Sequence, residues 1–333
     1  MNYNLEKVTP YSVSERITSP DMVYLDWNES SYLPDVVSFR LQEQLSELNK
    51  YPDPNNTLLK AELSNYTKID REFIEVFNVS DSALDYTFRT LLNSKDKVLV
   101  PFPNYNQINQ TIQSLGAHVA YCDITSLEEA IEQHKPQMVY LSNPNNPTGY
   151  VYDIKSLVKK YSNIYFLVDE AYYEFYTDYT VFDLAYKVSN LIVTRTFSKG
   201  LGLAGVRLGY LTTNSYIINK IRTIKNFKEV SRLAEAAGVA ALQNINIIQE
   251  DIDETLKTKK KFISQLKGVR TYDSYANFVL IEHPRVKDII DDLKQNNILV
   301  RDRSKFINNT IRITIGKPDV MGAVAKIINR HSI

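Results

Sequence analysis

The strongest constraint on the fold is an alternation of short apolar segments with helix-like segments in the middle of the chain. Six segments rich in Val, Ile, Leu and Tyr have the composition of buried strands. They cover residues 98–100, 118–121, 138–141, 165–168, 191–194 and 206–211. Helix-like stretches such as 126–133 and 154–161 lie between them. Strands that alternate with helices predict an α/β fold with a mostly parallel sheet.

The last third of the chain has a different pattern. A long helical segment runs from about Leu242 through Leu266, and strand, helix and strand patterns follow at 278–281, 286–294 and 311–315. With 333 residues the chain can form one large domain and a smaller one. We predict three parts. These are an N-terminal arm that joins part of the small domain (1–40), a large cofactor-binding domain (41–242) and a small C-terminal α+β domain (243–333).

Composition excludes several classes of protein. The 39 basic and 39 acidic residues cancel, so no global charge favours nucleic acid or a membrane surface. The single cysteine, Cys122, excludes an internal disulfide and suits a reducing cytoplasm. The four histidines and this thiol lack the spacing of metal ligands. Without a signal peptide or a membrane-length apolar run, the sequence predicts a soluble cytoplasmic protein with no metal.

The segment 194–210 (TRTFSKGLGLAGVRLGY) has the residues needed to hold an aldehyde cofactor. Lys199 follows a strand-like run, Ser198 precedes it and Arg207 comes eight residues later. A lysine amine can form a Schiff base with an aldehyde. A hydroxyl group and a guanidinium group can bind a phosphate nearby.

The glycines of this segment allow two other interpretations. Gly200, Gly202 and Gly205 match G-x-G-x-x-G, the pattern of dinucleotide-binding turns, which would indicate an NAD-dependent oxidoreductase. That pattern should open a helix after the first strand of its unit, whereas these glycines lie in mid-chain before another strand pattern. An ordinary glycine-rich turn between two strands is the simplest alternative.

A second candidate segment places an acid at a strand end. Asp169 ends the apolar run 165–168 and Tyr172 follows three residues later. Open parallel sheets bind ligands at such ends. There Asp169 can pair with a protonated ring nitrogen of the cofactor, and Tyr172 can donate to an oxygen on the same ring. By itself, an acid at a strand end such as Asp169 could also be a helix N-cap. Glu170 is either a supporting partner or a solvated residue.

A third segment, 142–149 (SNPNNPTG), is a rigid turn after a strand pattern. Asn-Pro pairs and glycines occur in loops of every kind, so a turn-only explanation suffices for this segment alone. Together with the lysine and acid segments it points to a site, with Asn146 as the side chain that the turn holds.

The order of these three motifs resembles that of the class I/II aminotransferases of fold-type I, and the histidinol-phosphate aminotransferase subfamily in particular. The likeness extends from about Tyr11 to Gly316. Further matching segments are 9–11, 25–29, 51–54, 276–278, 299–303 and 311–316. The resemblance implies a mostly parallel seven-stranded sheet flanked by helices, a smaller α+β domain and pyridoxal 5'-phosphate as cofactor.

The resemblance also implies roles for individual residues. Lys199, Asp169 and Tyr172 are the implied catalytic residues. The implied cofactor-binding residues are Ser80, Asp81, Ser82, Tyr105, Asn146, Asp169, Tyr172, Thr196, Ser198, Lys199, Arg207 and Tyr51. Tyr105 would stack on the cofactor ring, and residues 80–82 would lie at a helix N-terminus that binds its phosphate. This chain has Val79 and Ser82 where the family usually has a glycine and often an acid.

The implied partners are small molecules and a second copy of the chain. Tyr51 resembles a tyrosine that reaches the phosphate of the neighbouring subunit, which predicts a homodimer with shared active sites. The implied substrate-binding residues are Tyr11, Asn28, Arg301 and Arg312, with Arg303 as a further candidate. Arg312 would bind the α-carboxylate, although an exposed arginine on an amphipathic strand would also fit its pattern.

The expected reaction moves an amino group between an amino acid, glutamate with 2-oxoglutarate, and a small phosphorylated amine or carbonyl compound. Histidinol phosphate, serinol phosphate and dihydroxyacetone phosphate are examples of that class. The closest alternative keeps the cofactor and decarboxylates an O-phospho amino acid. Both reactions use the same lysine, so the motifs alone leave the choice open.

Overall fold

The computed structural model describes Glu6, Val8, Thr9 and residues 19–332. In chain order its strands are β1 (Val23–Leu25), β2 (Ile74–Phe77), β3 (Lys97–Pro101), β4 (His118–Cys122), β5 (Met138–Ser142), β6 (Tyr165–Asp169), β7 (Leu191–Thr196), β8 (Gly209–Thr212), β9 (Arg270–Thr271), β10 (Phe278–Glu282), β11 (Ile298–Asp302) and β12 (Thr310–Thr314). The helices are α1 (Asp35–Gln44), α2 (Thr57–Thr67), α3 (Val79–Leu91), α4 (Ile108–Ser114), α5 (Leu127–His134), α6 (Lys155–Lys160), α7 (Phe182–Ala185), α8 (Ser215–Arg222), α9 (Arg232–Gln243), α10 (Ile245–Gln265), α11 (Val286–Gln295) and α12 (Pro318–Asn329).

The large sheet has seven strands in the order β2-β8-β7-β6-β5-β3-β4. Strands β3 to β7 run parallel to their neighbours, and β8 lies antiparallel between β7 and β2. The predicted α/β fold with a mostly parallel seven-stranded sheet is therefore confirmed. Two details differ from the strand prediction. Strand β2 was missed, and β8 begins at Gly209 rather than at 206 because residues 204–206 form a 3₁₀ turn.

Both faces of this sheet are covered. Side chains alternate along a strand, so neighbours in β6 enter different cores: Phe166 and Val168 join one apolar cluster, and Leu167 joins the other. All three are fully buried. Parallel strands with helices on both faces read as continuous apolar runs, which is why the sequence revealed them.

A second, five-stranded sheet has the order β1-β11-β12-β10-β9. Strand β1, from the N-terminal part of the chain, runs parallel to β11, and the other pairs are antiparallel. Its core also takes side chains from α10, α11 and α12. The residue boundaries 1–40, 41–242 and 243–333 stay a prediction. Across residues 19–332, every helix is too short or too polar to span a bilayer.

Candidate active site

A cavity of about 530 Å³ lies at the carboxyl ends of β5, β6 and β7 and is closed on one side by the small sheet. Its volume is in the range of small-molecule sites. Thirteen predicted site residues line it together: Asn28, Ser80, Asp81, Tyr105, Asn146, Asp169, Tyr172, Thr196, Ser198, Lys199, Arg207, Arg301 and Arg312. Arg303 lines it as well.

Three predicted residues are not part of this lining. Ser82 lies inside α3, one residue beyond the lining positions Ser80 and Asp81. Tyr51 is 76% exposed, with its ring under the Lys228 ammonium at 4.0 Å. Tyr11 lies outside the described residues.

Lys199 lies in the loop after β7, which ends at Thr196, and lines the cavity. Its Nζ donates to the main-chain oxygen of Trp27 at 2.7 Å. Burial, together with the positive charge of Arg312, lowers the pKa of Lys199 to about 8. A lysine with this pKa exchanges a proton readily near neutral pH. The next residue must be glycine, since a Cβ on Gly200 would lie 2.4 Å from Cβ of Glu174.

Asp169 is the last residue of β6 and is 95% buried, at 5% exposure. Thr194, its register partner on β7, donates from Oγ1 to Asp169 Oδ1 at 3.0 Å. Burial raises the pKa of Asp169 to about 7, against that hydrogen bond. No helix begins directly after Asp169, because residues 171–172 form a turn and the N-cap of the 3₁₀ helix that follows is Tyr172. The N-cap interpretation is therefore wrong.

Tyr172 and Asn146 approach the cavity from two different loops. The Tyr172 hydroxyl accepts a hydrogen bond from Asn28 Nδ2 at 2.8 Å, and both side chains are buried. Asn146 Oδ1 accepts from Arg312 Nη1 at 2.6 Å and from Arg303 Nη2 at 3.3 Å. Since its oxygen is occupied, Asn146 can offer only its Nδ2 group to a ligand.

The start of α3 and the loop after β7 form the part of the cavity where the sequence predicts phosphate binding, which we call the cup. Backbone N–H groups in the first turn of a helix have no partner within the helix, and Ser80 and Asp81 lie in that turn. Gly209 packs against it so closely that a Cβ would lie 2.4 Å from the Ser80 nitrogen. Ser198 Oγ is buried there and has no hydrogen-bond partner within residues 19–332.

Two further contacts shape this cup. Asp81 pairs with Arg207 at 3.5 Å and accepts a hydrogen bond from the Tyr105 hydroxyl at 3.1 Å. Val79 has a φ of 70°, a left-handed conformation that a β-branched residue rarely adopts. The backbone shape therefore explains why the family usually has a glycine at this position, and this chain holds it with a strained valine.

Three arginines enter the cavity from the small sheet. Arg301 on β11 is the register partner of Arg312 on β12, and Arg303 follows directly after β11. Arg312 is buried, and its Nη2 donates to the main-chain oxygen of Asp26 at 2.6 Å. The alternative of an exposed arginine is therefore wrong for Arg312. The sequence could not show this clustering because it depends on strand register.

The structure adds residues that the motifs did not single out. Trp27 and Thr194 hold Lys199 and Asp169 through the hydrogen bonds given above, and Gln107 and Ser142 also line the cavity. Thr194 could have been found in the sequence, because it lies two residues before Thr196 and so on the same face of the strand. Trp27 acts through its backbone, which leaves no side-chain signal.

The glycine pattern does not form a dinucleotide-binding turn. A 3₁₀ turn at 204–206 and then strand β8 follow Gly200, Gly202 and Gly205, where the pattern requires a helix. Within the described part of the chain no group of three or more His, Cys, Asp or Glu side chains could hold a metal ion.

Comparison with known proteins assigns the family. The family model for aminotransferase class I and II matches residues 20–328. The chain belongs to this family. It is a pyridoxal 5'-phosphate-dependent aminotransferase, as the arrangement of the three motifs implied.

Two relatives are similar over almost the whole chain. A dihydroxyacetone phosphate transaminase of Campylobacter jejuni is 34% identical, with 99% of this chain and 97% of that protein covered. A histidinol-phosphate aminotransferase of Thermoanaerobacter sp. is 32% identical, with 93% of each covered. The predicted resemblance to this subfamily is confirmed.

Solved structures share the fold. A histidinol-phosphate aminotransferase of Sinorhizobium meliloti in complex with pyridoxal-5'-phosphate superposes with a TM-score of 0.85 at 23% identity, covering 92% of this chain and 90% of that one. An L-threonine-O-3-phosphate decarboxylase of Porphyromonas gingivalis gives 0.84 at 22% identity, covering 93% and 99%. These TM-scores establish a common fold. At such low identity they do not indicate which reaction this chain catalyses.

The cavity of this aminotransferase fits the cofactor. The buried Ser198 hydroxyl needs an acceptor or donor, and a phosphate in the cup would supply one. The cationic ring nitrogen of the cofactor would favour the ionised form of Asp169, which burial disfavours in its absence. Lys199, with a pKa of about 8, lies in the same cavity and can be deprotonated near neutral pH.

Proposed function

We propose that this aminotransferase transfers an amino group between glutamate and a small phosphorylated carbonyl compound, such as dihydroxyacetone phosphate or imidazole acetol phosphate. The observation that carries the proposal is the convergence of Arg301, Arg303 and Arg312 from the small sheet on the cavity that also contains the predicted phosphate cup. The carboxylates of glutamate and the phosphate of the carbonyl compound are anions that match this charge. The two relatives at 34% and 32% identity are named for phosphorylated substrates.

Each arginine is suited to a different part of this task. Arg312 is anchored to Asp26 and Asn146, which fixes the plane of its guanidinium group for two parallel hydrogen bonds to a carboxylate. Arg303 shares the Asn146 oxygen and carries its charge farther along the same wall. Arg301 lies opposite Arg312 in the strand pair. We assign the carboxylate to Arg312 and the phosphate to Arg301 and Arg303.

The residues on the other side would perform the proton transfers. When bound, pyridoxal phosphate supplies an aldehyde that takes up the amino group and a ring that withdraws electrons from the substrate Cα. Lys199 Nζ would then move a proton from that carbon, which its lowered pKa allows. Asp169 would hold the ring nitrogen in its protonated form, and Tyr172 and Asn146 would donate to the ring oxygen.

The experiment is a comparison of matched acceptors. Purified protein with bound cofactor is supplied with glutamate and with dihydroxyacetone phosphate, imidazole acetol phosphate or unphosphorylated dihydroxyacetone, and 2-oxoglutarate is measured. We expect kcat/KM to be at least about 100-fold higher for a phosphorylated acceptor than for dihydroxyacetone, because a phosphate would gain charge-assisted hydrogen bonds. Equal rates with both would contradict the proposal.

The second candidate reaction has its own readout in the same assay. O-phosphothreonine and O-phosphoserine are added without an acceptor, and carbon dioxide and amine are measured. Carbon dioxide release faster than any amino transfer would favour the decarboxylase. The structural likeness to such an enzyme reflects the shared fold, so this outcome depends on how the cavity orients the substrate.

We also propose that the protein is a cytoplasmic homodimer in which Tyr51 reaches the site of the partner. Exposed apolar side chains support the dimer: Phe39, Leu45, Leu48 and Tyr51 lie within thirteen residues of each other and remain largely open to solvent. Apolar groups concentrated in this way mark interaction surfaces. The lone half-buried cysteine, Cys122, is compatible with a reducing compartment.

Mixing two inactive variants tests the shared site. Lys199→Ala removes the reactive amine and Tyr51→Ala removes the proposed partner contact, so a mixed dimer would contain one complete site. We expect activity to appear when the two variants are dissociated and reassociated together. Sedimentation of the wild type should give a dimer. A monomer with full activity would contradict this proposal.

A further inference from the structure

The hydrogen bonds around Tyr172 determine where its single hydroxyl hydrogen can point. Asn28 Nδ2 donates to the Tyr172 oxygen at 2.8 Å, so this contact uses a lone pair of the oxygen and leaves its hydrogen available. Asn28 is 1% exposed and Tyr172 is 3% exposed, so the contact is shielded from solvent. The Tyr172 ring is also held edge-on against Phe278 at 5.2 Å between ring centres.

Thr314 determines which end of the Asn28 amide faces Tyr172. The Thr314 hydroxyl accepts the backbone N–H of Asn28 at 3.0 Å and donates to Asn28 Oδ1 at 3.2 Å. Nitrogen and oxygen of an amide are told apart only by such contacts. With Oδ1 accepting from Thr314, the amide presents Nδ2 to Tyr172. The reversed amide would accept the Tyr172 hydrogen and direct it away from the cavity.

The backbone of Asn28 is adapted to this arrangement. Its φ of 58° is left-handed, a conformation that asparagine and glycine tolerate better than other residues. The main-chain oxygen of Asn28 accepts a hydrogen bond from Asn277 Nδ2 at 3.1 Å. Asn28 is thus held by Thr314 from β12 of the small sheet and by Asn277 from the segment directly before β10.

We propose that Asn28 is a positioning residue that directs the Tyr172 hydroxyl hydrogen into the cavity, with Thr314 fixing the orientation of its amide. The proposal rests on the proposed role of Tyr172 as a donor to the cofactor's ring oxygen. It goes beyond the prediction that Asn28 binds substrate, because Asn28 here acts through Tyr172 before any substrate arrives.

The hydrogen bond from Asn28 also strengthens the Tyr172 hydroxyl as a donor. Burial raises the pKa of Tyr172, and the charge of Arg312 and the hydrogen bond from Asn28 oppose that rise. A phenol that accepts a hydrogen bond is a stronger donor through its own hydrogen. Asn28 therefore improves both the direction and the strength of the hydrogen bond that Tyr172 can make.

Four variants separate this role from a structural one. Asn28→Asp keeps the shape and tolerates the backbone angle, but its carboxylate accepts the Tyr172 hydrogen. Thr314→Val removes the hydroxyl without adding a charge, so the Asn28 amide can rotate. Thr314→Ser keeps the hydroxyl and serves as the matched control. Tyr172→Phe removes the donor itself. Melting temperatures of all four show that they fold.

The readout is the pH midpoint of the visible absorbance change of the cofactor-loaded protein in the absence of substrate. If the cofactor's ring oxygen loses its hydrogen-bond donor, the Lys199 nitrogen that is bonded to the cofactor becomes harder to deprotonate. We expect Asn28→Asp to raise the midpoint by about one pH unit, a tenfold change, and Thr314→Val by less. Thr314→Ser should match the wild type. In the Tyr172→Phe background, Thr314→Val should cause no further shift.

Two results would overturn the proposal. One is an unchanged midpoint in both Asn28→Asp and Thr314→Val, with only KM for the substrate raised, which would make Asn28 a substrate ligand alone. The other is a Thr314→Val shift that persists in the Tyr172→Phe background. Failure of the proposed function is visible separately, as a wild-type protein that binds the cofactor but does not prefer phosphorylated acceptors.

Discussion

Two consecutive carboxylates at the end of β6 have opposite environments. Asp169 faces the cavity, and Thr194 is the hydrogen-bond donor to it within the described residues. Glu170 points to the other side of the sheet and is 1% exposed. There it accepts hydrogen bonds from Arg195 Nε at 3.0 Å and Nη2 at 2.8 Å, from the Thr180 hydroxyl and from the Val181 amide.

The partner of Glu170 is itself fully enclosed. The Arg195 guanidinium lies over the rings of Tyr173 at 3.3 Å and Phe182 at 3.8 Å. The chain thus compensates the charge of Glu170 with its own groups and compensates that of Asp169 only in part. On the cavity side, therefore, a ligand and not the fold supplies the rest of the compensation for the charge of Asp169.

Replacing the cavity-side lysine should have the largest effect. We expect Lys199→Ala to reduce amino transfer by at least about 1,000-fold, because both the nucleophile and the proton carrier are lost. Borohydride reduction followed by peptide mapping should find no cofactor attached at this position.

Lys259 is the matched control for this variant. It is also a buried lysine whose pKa burial lowers to about 8, but its Nζ donates to the main-chain oxygens of Ser274 and Ala276. Lys259→Met should lower stability and still trap the cofactor on Lys199. If Lys259→Met lost cofactor trapping as completely as Lys199→Ala, the predicted difference between these two buried lysines would be contradicted.

Breaking the ion pair behind the sheet should affect stability most. Arg195→Met leaves Glu170 buried without its cation, which should lower the free energy of unfolding by about 3–5 kcal/mol. Urea denaturation of the cofactor-free protein measures the change. The double variant Arg195→Met with Glu170→Met should recover part of the loss, since neither charge is then buried. A double variant as unstable as the single one would refute the pair as the cause.

The corresponding change on the cavity side should affect activity instead. Asp169→Asn should lower kcat by about 100-fold or more, because the ring nitrogen loses the anion that keeps it protonated. At about pH 4, where burial keeps this carboxyl neutral in the folded protein, the free energy of unfolding should change by less than about 1 kcal/mol, since the amide has the same shape and no charge to desolvate. Steady-state kinetics and urea denaturation are compared. A stability loss as large as that of Arg195→Met would remove the contrast between the two sides.

The smallest effect should be a change in the slope of stability against pH, about 1.4 kcal/mol for each pH unit. Burial raises the pKa of Asp169 from 3.8 to about 7. Between these values the folded protein binds more protons than the unfolded chain, so stability falls as pH rises from about 4 to about 7 and this contribution is constant above. In Asp169→Asn the slope should be smaller by about one proton in that range. Urea denaturation of cofactor-free protein at several pH values measures it.

Glu174 provides a control for this titration. It is buried with neither carboxylate oxygen hydrogen-bonded to any described residue, and burial raises its pKa from 4.5 to about 7. Glu174→Gln should flatten the same slope by a similar amount without the activity loss of Asp169→Asn. Identical slopes in all three proteins would contradict the raised pKa values.

The sequence alone predicted the α/β class, the order of the motifs, the candidate lysine and most of the residues that line the cavity. It could do so because parallel strands buried on both faces appear as apolar runs, and because Asp169 ends such a run while Asn146 and Lys199 lie in the loops that follow two others. The family's motifs therefore carry their geometry with them: residues at the carboxyl ends of neighbouring parallel strands meet at one edge of the sheet.

The strand neighbours and hydrogen-bond partners of these residues follow from the tertiary structure alone. Strand register sets Thr194 beside Asp169 and Arg301 beside Arg312, and packing of the two sheets brings Asn28 to Tyr172, 144 positions away. It also sends Glu170 to Arg195 while its neighbour Asp169 faces the cavity. Register and packing depend on contacts between distant segments, and no local pattern of residues encodes those contacts.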